Sequence, residues 1–302
     1  MYNTLVIIVT YNGSNWIDKC ITSLLLSEIP LNILVVDNNS TDNTIELIRE
    51  KYPDIKIIEN KVNLGFGRAN NIGIRYALEH DTAYLFLLNQ DASIESNTIK
   101  NLISFHQANL NYGIISPVHL NGKDEELDCG FSECISFKDL DSINRAKDKN
   151  VCYIDTEFVN AAAWLIPRDC IERIGGFDSL FIHYGEDRDF CNRATYFKFK
   201  IGVVFDSVIF HDRVYNTNNN FRKLKNGLLT SAYAHIKNIN KPLIVNYLTW
   251  FLQRMRKMLK HIINFDFYAI YIEMVIAINI LFKIRHLMNK RICSKNQSRA
   301  FL

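Results

Sequence analysis

Polar residues able to do chemistry recur where apolar runs end. Thr10-Tyr11-Asn12 follows Leu5–Val9, Asp37 follows Ile33–Val36, and Asn63 with Gly65 and Gly67 follows Ile55–Ile58. Asn89-Gln90-Asp91 follows Ala83–Leu88. Each group taken singly reads as a capped turn. Four of them at the carboxyl ends of successive strands point to one shared ligand site, because open α/β sheets bind ligands there. A second acidic group, Glu186-Asp187, follows a glycine, and His211 follows a late apolar run. Two acids at a helix start are also favoured by the helix dipole alone. The segment Asn63-Leu64-Gly65-Phe66-Gly67-Arg68 is not a dinucleotide fingerprint: the third glycine is replaced by Asn70, and the first strand does not precede it. No phosphate-binding G-x-x-x-x-G-K-[ST] occurs.

The elements that must position these residues alternate strand and helix through the first 120 residues. Near-continuous apolar strands are predicted over Thr4–Thr10, Ile33–Val36, Ile55–Ile58 and Ala83–Leu88. Helices are predicted over Trp16–Leu26, from Asn38–Asp42 to Glu50, and over Phe66–Leu78. This pattern predicts an α/β fold with a mostly parallel sheet covered on both faces. Between Ser116 and Asn150 charged and turn residues predominate, which predicts an irregular connection or an edge hairpin. Regular structure is expected again over Phe158–Ile166, in a helix starting near Pro167, in a helix Asp187–Tyr196 and in a strand Ile201–Phe205. The polar stretch Asn216–Asn220 marks a boundary between a domain over 1–221 and a helical region over 222–302.

Charge divides at that boundary. Residues 222–302 hold 15 Lys and Arg against two acids, Asp266 and Glu273, while the whole chain is only +3. Such asymmetry predicts a tail that meets an anionic membrane surface, with a solvated helical subdomain or a dimer interface as the alternative. The apolar run Phe267–Phe282 is short for a span of about 20 residues, so an interfacial helix is expected rather than a crossing one. Seven cysteines without a C-x-x-C pair suit a reducing compartment, and no basic leader precedes the first apolar run. A cytoplasmic location, peripheral on the inner membrane face, is the expectation, with no nucleic-acid partner.

Five segments, in order, resemble the family 2 glycosyltransferases with a GT-A fold, in particular their rhamnosyltransferase-like branch. They are Ile7–Asn12, Val35–Asp42, Asn63–Gly73, Leu87–Ala92, and Gly175–Asp178 continuing through Gly185–Phe190. The resemblance implies a nucleotide-diphospho-sugar donor, with Thr10 and Tyr11 lining the nucleoside pocket. Asp37 would accept the imide N–H of uracil or thymine, and Arg68 would face a base carbonyl or a phosphate. It places Asp91 on a Mg²⁺ or Mn²⁺ ion, with Asn89 where a first carboxylate usually stands and with His211 as a further ligand. Asp187, or else Glu186, would take the proton of the acceptor hydroxyl in an inverting transfer. The implied function moves one sugar, such as rhamnose, from a dTDP- or UDP-sugar to a saccharide or lipid-linked saccharide acceptor in bacterial surface polysaccharide synthesis. Gln253-Arg254-Met255-Arg256-Lys257 is similar to the Gln-x-x-Arg-Trp of processive synthases but lacks the tryptophan, which favours single addition. Two alternatives are a sugar nucleotidyltransferase, which would need a glycine- and lysine-rich N-terminal loop, and an inactive membrane-associated partner protein.

Overall fold

Leu5, Ile7 and their neighbours in Thr4–Thr10 are buried on both sides, and alternation sends them to two separate cores. Leu5 and Ile7 pack with Ile74 and Ala77, whereas Val6 and Ile8 pack with Ile17, Ile21 and Leu24. That double burial makes this strand, β1, central. A computed structural model describes residues 3–122, 126–182, 184–212, 221–296 and 300–302, the side chains of 221–224 excepted. The Asn216–Asn220 boundary therefore lies outside the described residues.

After β1 come α1 (Ile17–Leu25), β2 (Asn32–Asp37), α2 (Thr44–Lys51), β3 (Lys56–Glu59), α3 (Phe66–Glu79) and β4 (Tyr84–Asn89). The four strands run parallel in the order β3-β2-β1-β4, as the alternation predicts. The chain continues through β5 (Ala92–Ile94), α4 (Thr98–Ala108), β6 (Tyr112–Asn121), α5 (Cys129–Ser132) and α6 (Leu140–Lys147). It then forms β7 (Tyr153–Thr156), β8 (Ala163–Pro167), α7 (Arg168–Ile174), α8 (Glu186–Tyr196) and β9 (Lys200–His211). These strands extend the sheet as β4-β8-β6-β9-β5, with β7 also on β9. This half is mixed: β6 and β9 are parallel, while β8, β5 and β7 pair antiparallel with their neighbours.

One expectation needs correcting. The segment predicted as irregular from Ser116 begins inside β6, a ten-residue strand buried at every position but the last. Its pattern is masked by Ser116, Pro117 and His119. Pro117, which has no N–H to offer, sits where the β6–β9 register shifts, and buried Ser116 and His119 bond each other at 3.0 Å. The element expected over Phe158–Ile166 is likewise confined to β8, beginning at Ala163.

The last part of the chain is α9 (Phe221–Lys237), α10 (Leu243–Ile263) and α11 (Phe267–Asn296). Tyr233, Ile236, Trp250, Ile272, Ile276 and Ile280 form a third core, which Phe181 joins from the α7–α8 connection. Several tail cations are internal. Lys237 is buried between Asp178 and Asp189, and Arg254 pairs with Glu273 between α10 and α11 at 3.2 Å. The Gln253-Arg254 stretch thus ties two helices together.

Gly65 heads α3 at φ +81, and a Cβ there would collide with the carbonyl oxygen of Ile182. Gly65→Ala should cost more than about 1 kcal/mol, from backbone strain plus that contact, read as a lowered urea midpoint.

Candidate active site at the carboxyl edge of the sheet

Register fixes the first part of the site. Thr10 stands beside Asp37 on β1 and β2, and Val9 stands beside Asn89 on β4, so the three strands end level. The Asp37 carboxylate is buried and bends its own loop back: Oδ2 accepts the N–H groups of Asn39 and Ser40, both at 3.0 Å, and Oδ1 accepts the Ser40 hydroxyl at 2.5 Å. Asn12, at φ +49, laces this loop to the β1 loop; its N–H donates to Ser40 Oγ and its Oδ1 accepts Thr41 N–H. Gln90 Oε1 accepts from Thr10 Oγ1 at 2.6 Å and from Tyr11 N–H at 3.0 Å, while Nε2 donates to the Tyr11 carbonyl. Tyr11 itself stays about half exposed. Arg68 lies in the first turn of α3 and donates to the Ser179 carbonyl at 2.9 Å, so it is turned toward the connection that leads to α8.

Asp91 and His211 meet through strand pairing. Ala92 is opposite His211 in the β5–β9 ladder, and Asp91 Oδ1 lies 3.3 Å from His211 Nε2. On the other side of the ring, Nδ1 is 3.4 Å from Oδ2 of Asp128, a buried residue whose Oδ1 caps α5 through Phe131 N–H. These are ion-pair contacts rather than well-aligned hydrogen bonds. Burial alone would push the imidazole pKa down, but the contacts with Asp128 and Asp91 outweigh it and raise it to about 9.

The donor set fits a divalent cation. Two ligands at right angles on Mg²⁺ or Mn²⁺ stand about 3 Å apart, close to the Asp91–His211 separation. A carboxylate behind the far ring nitrogen is the usual way a ligating histidine is oriented. Asp91 is about one-quarter exposed and opens to the strand ends. Among the described residues no cluster of three or more such groups encloses a metal, so further ligands would have to come from a bound diphosphate and water.

Glu186 and Asp187 open α8 after Gly185, which adopts φ +89. Their environments differ. Glu186 is buried beside Gly67 of α3, and its Oε2 has no hydrogen-bond partner. Burial, and then the neighbouring Asp187, raise its pKa to about 7. Asp187 is half-buried and lines a cleft of about 420 Å³ between α8 and α9, with Tyr184, Arg188, Asn192, Ser231 and His235. At neutral pH the buried acid is therefore about half protonated, while Asp187 is the one of the two that faces the cleft.

A carboxyl whose pKa is raised on folding weakens the fold as pH climbs from its unfolded value of 4.5 through 7. Glu186→Gln removes that effect. Chemical denaturation should find the variant up to about 3 kcal/mol more stable than the parent above pH 7, and equal to it below pH 4.

The structure thus gathers Thr10, Tyr11, Asp37 and Asn89 on one rim, joins it through Gln90 to Asp91 and His211, and brings Glu186 against the head of α3. Two members have no assignment from sequence. Gln90 stood within a recognised motif, and its side chain could have been weighed there. Asp128 lies in the segment taken as irregular, and no local signal marks it.

The model of the family described as Glycosyl transferase family 2 matches residues 5–175. A low-salt glycan biosynthesis hexosyltransferase, Agl10, of Haloferax volcanii is 29% identical over 171 residues, 56% of this chain and 55% of the relative. A dTDP-rhamnosyl transferase, RfbF, of Shigella flexneri is 28% identical over 220 residues, 69% of each chain. An N-acetylglucosaminyl-diphospho-decaprenol L-rhamnosyltransferase of Mycobacterium tuberculosis is 36% identical over 67 residues, 22% of each. The chain therefore spans about half of the haloarchaeal relative's length and a fifth of the mycobacterial one. Among solved structures, S. aureus TarS 1–349 in complex with UDP superposes with a TM-score of 0.56 at 17% identity, over 81% of this chain and 68% of that one. The mannosyltransferase PcManGT of Pyrobaculum calidifontis, in complex with GDP-Man and Mn²⁺, gives 0.57 at 17% identity, over 93% and 76%. These two share the GT-A-type fold with this chain. With the family model covering more than half of the chain, the chain belongs to glycosyl transferase family 2.

Proposed function

We propose that this chain is an inverting glycosyltransferase that moves one sugar, rhamnose being the candidate its relatives favour, from a dTDP- or UDP-sugar to a saccharide acceptor. The observation that carries this reading is the level row Thr10, Asp37 and Asn89 with the Asp91–His211 pair, 3.3 Å apart, beside it. In this reading Tyr11 stacks on the base, and Asp37 receives the imide N–H. Asp37 already accepts three hydrogen bonds, and a carboxylate has room for about one more. Asp91 and His211 would hold Mg²⁺ or Mn²⁺, which when bound neutralises charge on the departing diphosphate. Asp187 takes the proton of the acceptor hydroxyl as that oxygen attacks the anomeric carbon, and the nucleotide leaves from the opposite face. Glu186 is the second candidate for the base, on the strength of its pKa near 7. It ranks behind Asp187 because it does not line the cleft. The acceptor, free or lipid-linked, would be met in the cytoplasm at an anionic membrane face and belong to surface-polysaccharide synthesis.

Thermal shift with UDP-, dTDP- and GDP-sugars, each with and without Mn²⁺, tests the donor reading. Stabilisation by UDP- and dTDP-sugars that grows with Mn²⁺ in the parent and not in Asp91→Asn is the expected result. Stabilisation by GDP-sugars alone would overturn the role of Asp37.

A further inference from the structure

Of the 28 large hydrophobic side chains exposed among the described residues, 19 fall between residues 244 and 292, on α10, α11 and the turn joining them. The turn carries three of the four most open of them, the other being Phe282 on α11. Ile263, Phe265 and Phe267 are 74%, 78% and 74% exposed, and Phe265 is held at φ +53, where a bulky residue is uncommon. Folding buries little of these three side chains. An apolar surface of this extent on a monomer marks a site of contact.

Charge selects the partner. Between 244 and 292 the exposed charged residues are five cations, among them Arg256, Lys257 and Lys260 just before the turn, and one acid, Asp266. A two-fold dimer through this face would set the patch against itself, cation facing cation. An anionic lipid surface satisfies both the apolar side chains and the flanking cations. Insertion across a bilayer fits less well. The helix α11 is long and apolar enough to cross, with a mean hydropathy of 1.8 in its most apolar window. Its inner face, however, carries Ile272, Ile276 and Ile280 into the third core and keeps Glu273 buried against Arg254. Its end is pinned where Arg291 donates to the carbonyls of Lys237, Asn238 and Lys241. Crossing would undo all of these.

We infer that the outer face of the α10–α11 hairpin docks on an anionic bilayer, with its turn at Ile263, Phe265 and Phe267 seated among the acyl chains and Arg256, Lys257 and Lys260 at the headgroups. This would supply the docking element for a lipid-linked acceptor. It stands apart from the catalytic reading, because lipid binding is measured without donor or acceptor.

The test is flotation of the full chain with phosphatidylcholine vesicles, with or without about one-third phosphatidylglycerol. Capture should be at least tenfold greater with the anionic lipid and fall with added salt. Both the variant Ile263→Ser/Phe265→Ser/Phe267→Ser and the variant Arg256→Glu/Lys257→Glu/Lys260→Glu should lose it at an unchanged melting temperature. Phe265→Trp should blue-shift its emission on adding anionic vesicles. Equal capture by both vesicle types, or capture undiminished in the two triple variants, overturns the proposal. So does a solution dimer abolished by the same substitutions in a chain that ignores vesicles.

Discussion

Asp187→Asn is expected to lower the rate of sugar transfer about 10²–10⁴-fold while leaving the thermal shift by donor nucleotide unchanged. The amide keeps the shape and the contact from the Arg188 N–H, which Oδ1 accepts at 2.7 Å. What it cannot do is take a proton. The loss corresponds to roughly 3–5 kcal/mol of transition-state stabilisation, and it should fall on kcat rather than on donor affinity. Single-turnover release of the nucleoside diphosphate is the direct measurement. Glu186→Gln is the paired control, because Glu186 lies outside the cleft and, with a pKa raised to about 7, its removal should change the pH dependence more than the rate. Transfer that survives Asp187→Asn undiminished would remove Asp187 from the mechanism, and an equal collapse in Glu186→Gln alone would move the role to its neighbour.

The legible part of the site lay in segments whose local chemistry was unambiguous. β1, β2 and β4 are doubly buried and end in polar residues, so their positions and the placing of Thr10, Asp37 and Asn89 followed from run length and turn chemistry. Asp91 was legible as a strand-end acid and His211 was named beside it from the family resemblance, but Asp128 was not, nor was the pairing that joins them. His211 and Asp128 reach it through the β5–β9 and β6–β9 ladders, which join residues far apart in sequence. β6 was hidden because a buried strand holding Ser116, Pro117 and His119 looks polar and broken. The tail misled differently. A count of 15 cations implies a charged surface, but it cannot say which of them are internal, and Lys237, Arg254 and Arg291 are spent holding helices together.

Lys237→Met should destabilise the protein by about 3–5 kcal/mol at pH 7, the range for removing one partner of a buried ion pair. The ammonium group is fully enclosed, 3.0 Å from Asp178 Oδ2 and 2.5 Å from Asp189 Oδ1. Each acid has one further cation: Lys290 reaches Asp178 at 2.8 Å, and Arg193 reaches Asp189 at 3.0 Å while also donating to the carbonyls of Ile174 and Gly176. Methionine fills the space but takes one ion pair from each of two buried carboxylates, leaving Asp178 with Lys290 and Asp189 with Arg193. The pH dependence separates this loss from one of packing. Burial pushes the Asp178 pKa up, yet Lys237 and Lys290 more than offset it and hold the group below the ordinary carboxylate value of 3.8. Its contribution to stability is therefore present above that value and lost as pH falls through the lower, folded one. In the variant the buried Asp178, held by Lys290 alone, takes a proton more readily as pH falls, so the gap between variant and parent should narrow from pH 7 to pH 4. Urea denaturation at both values reads it, and a gap that does not change with pH would assign the loss to packing. Asp178→Asn in the Lys237→Met background should recover part of the stability for the same reason. Asp189 lies two residues after Asp187 on α8, so the same substitution should also lower transfer by loosening the helix that carries the proposed base.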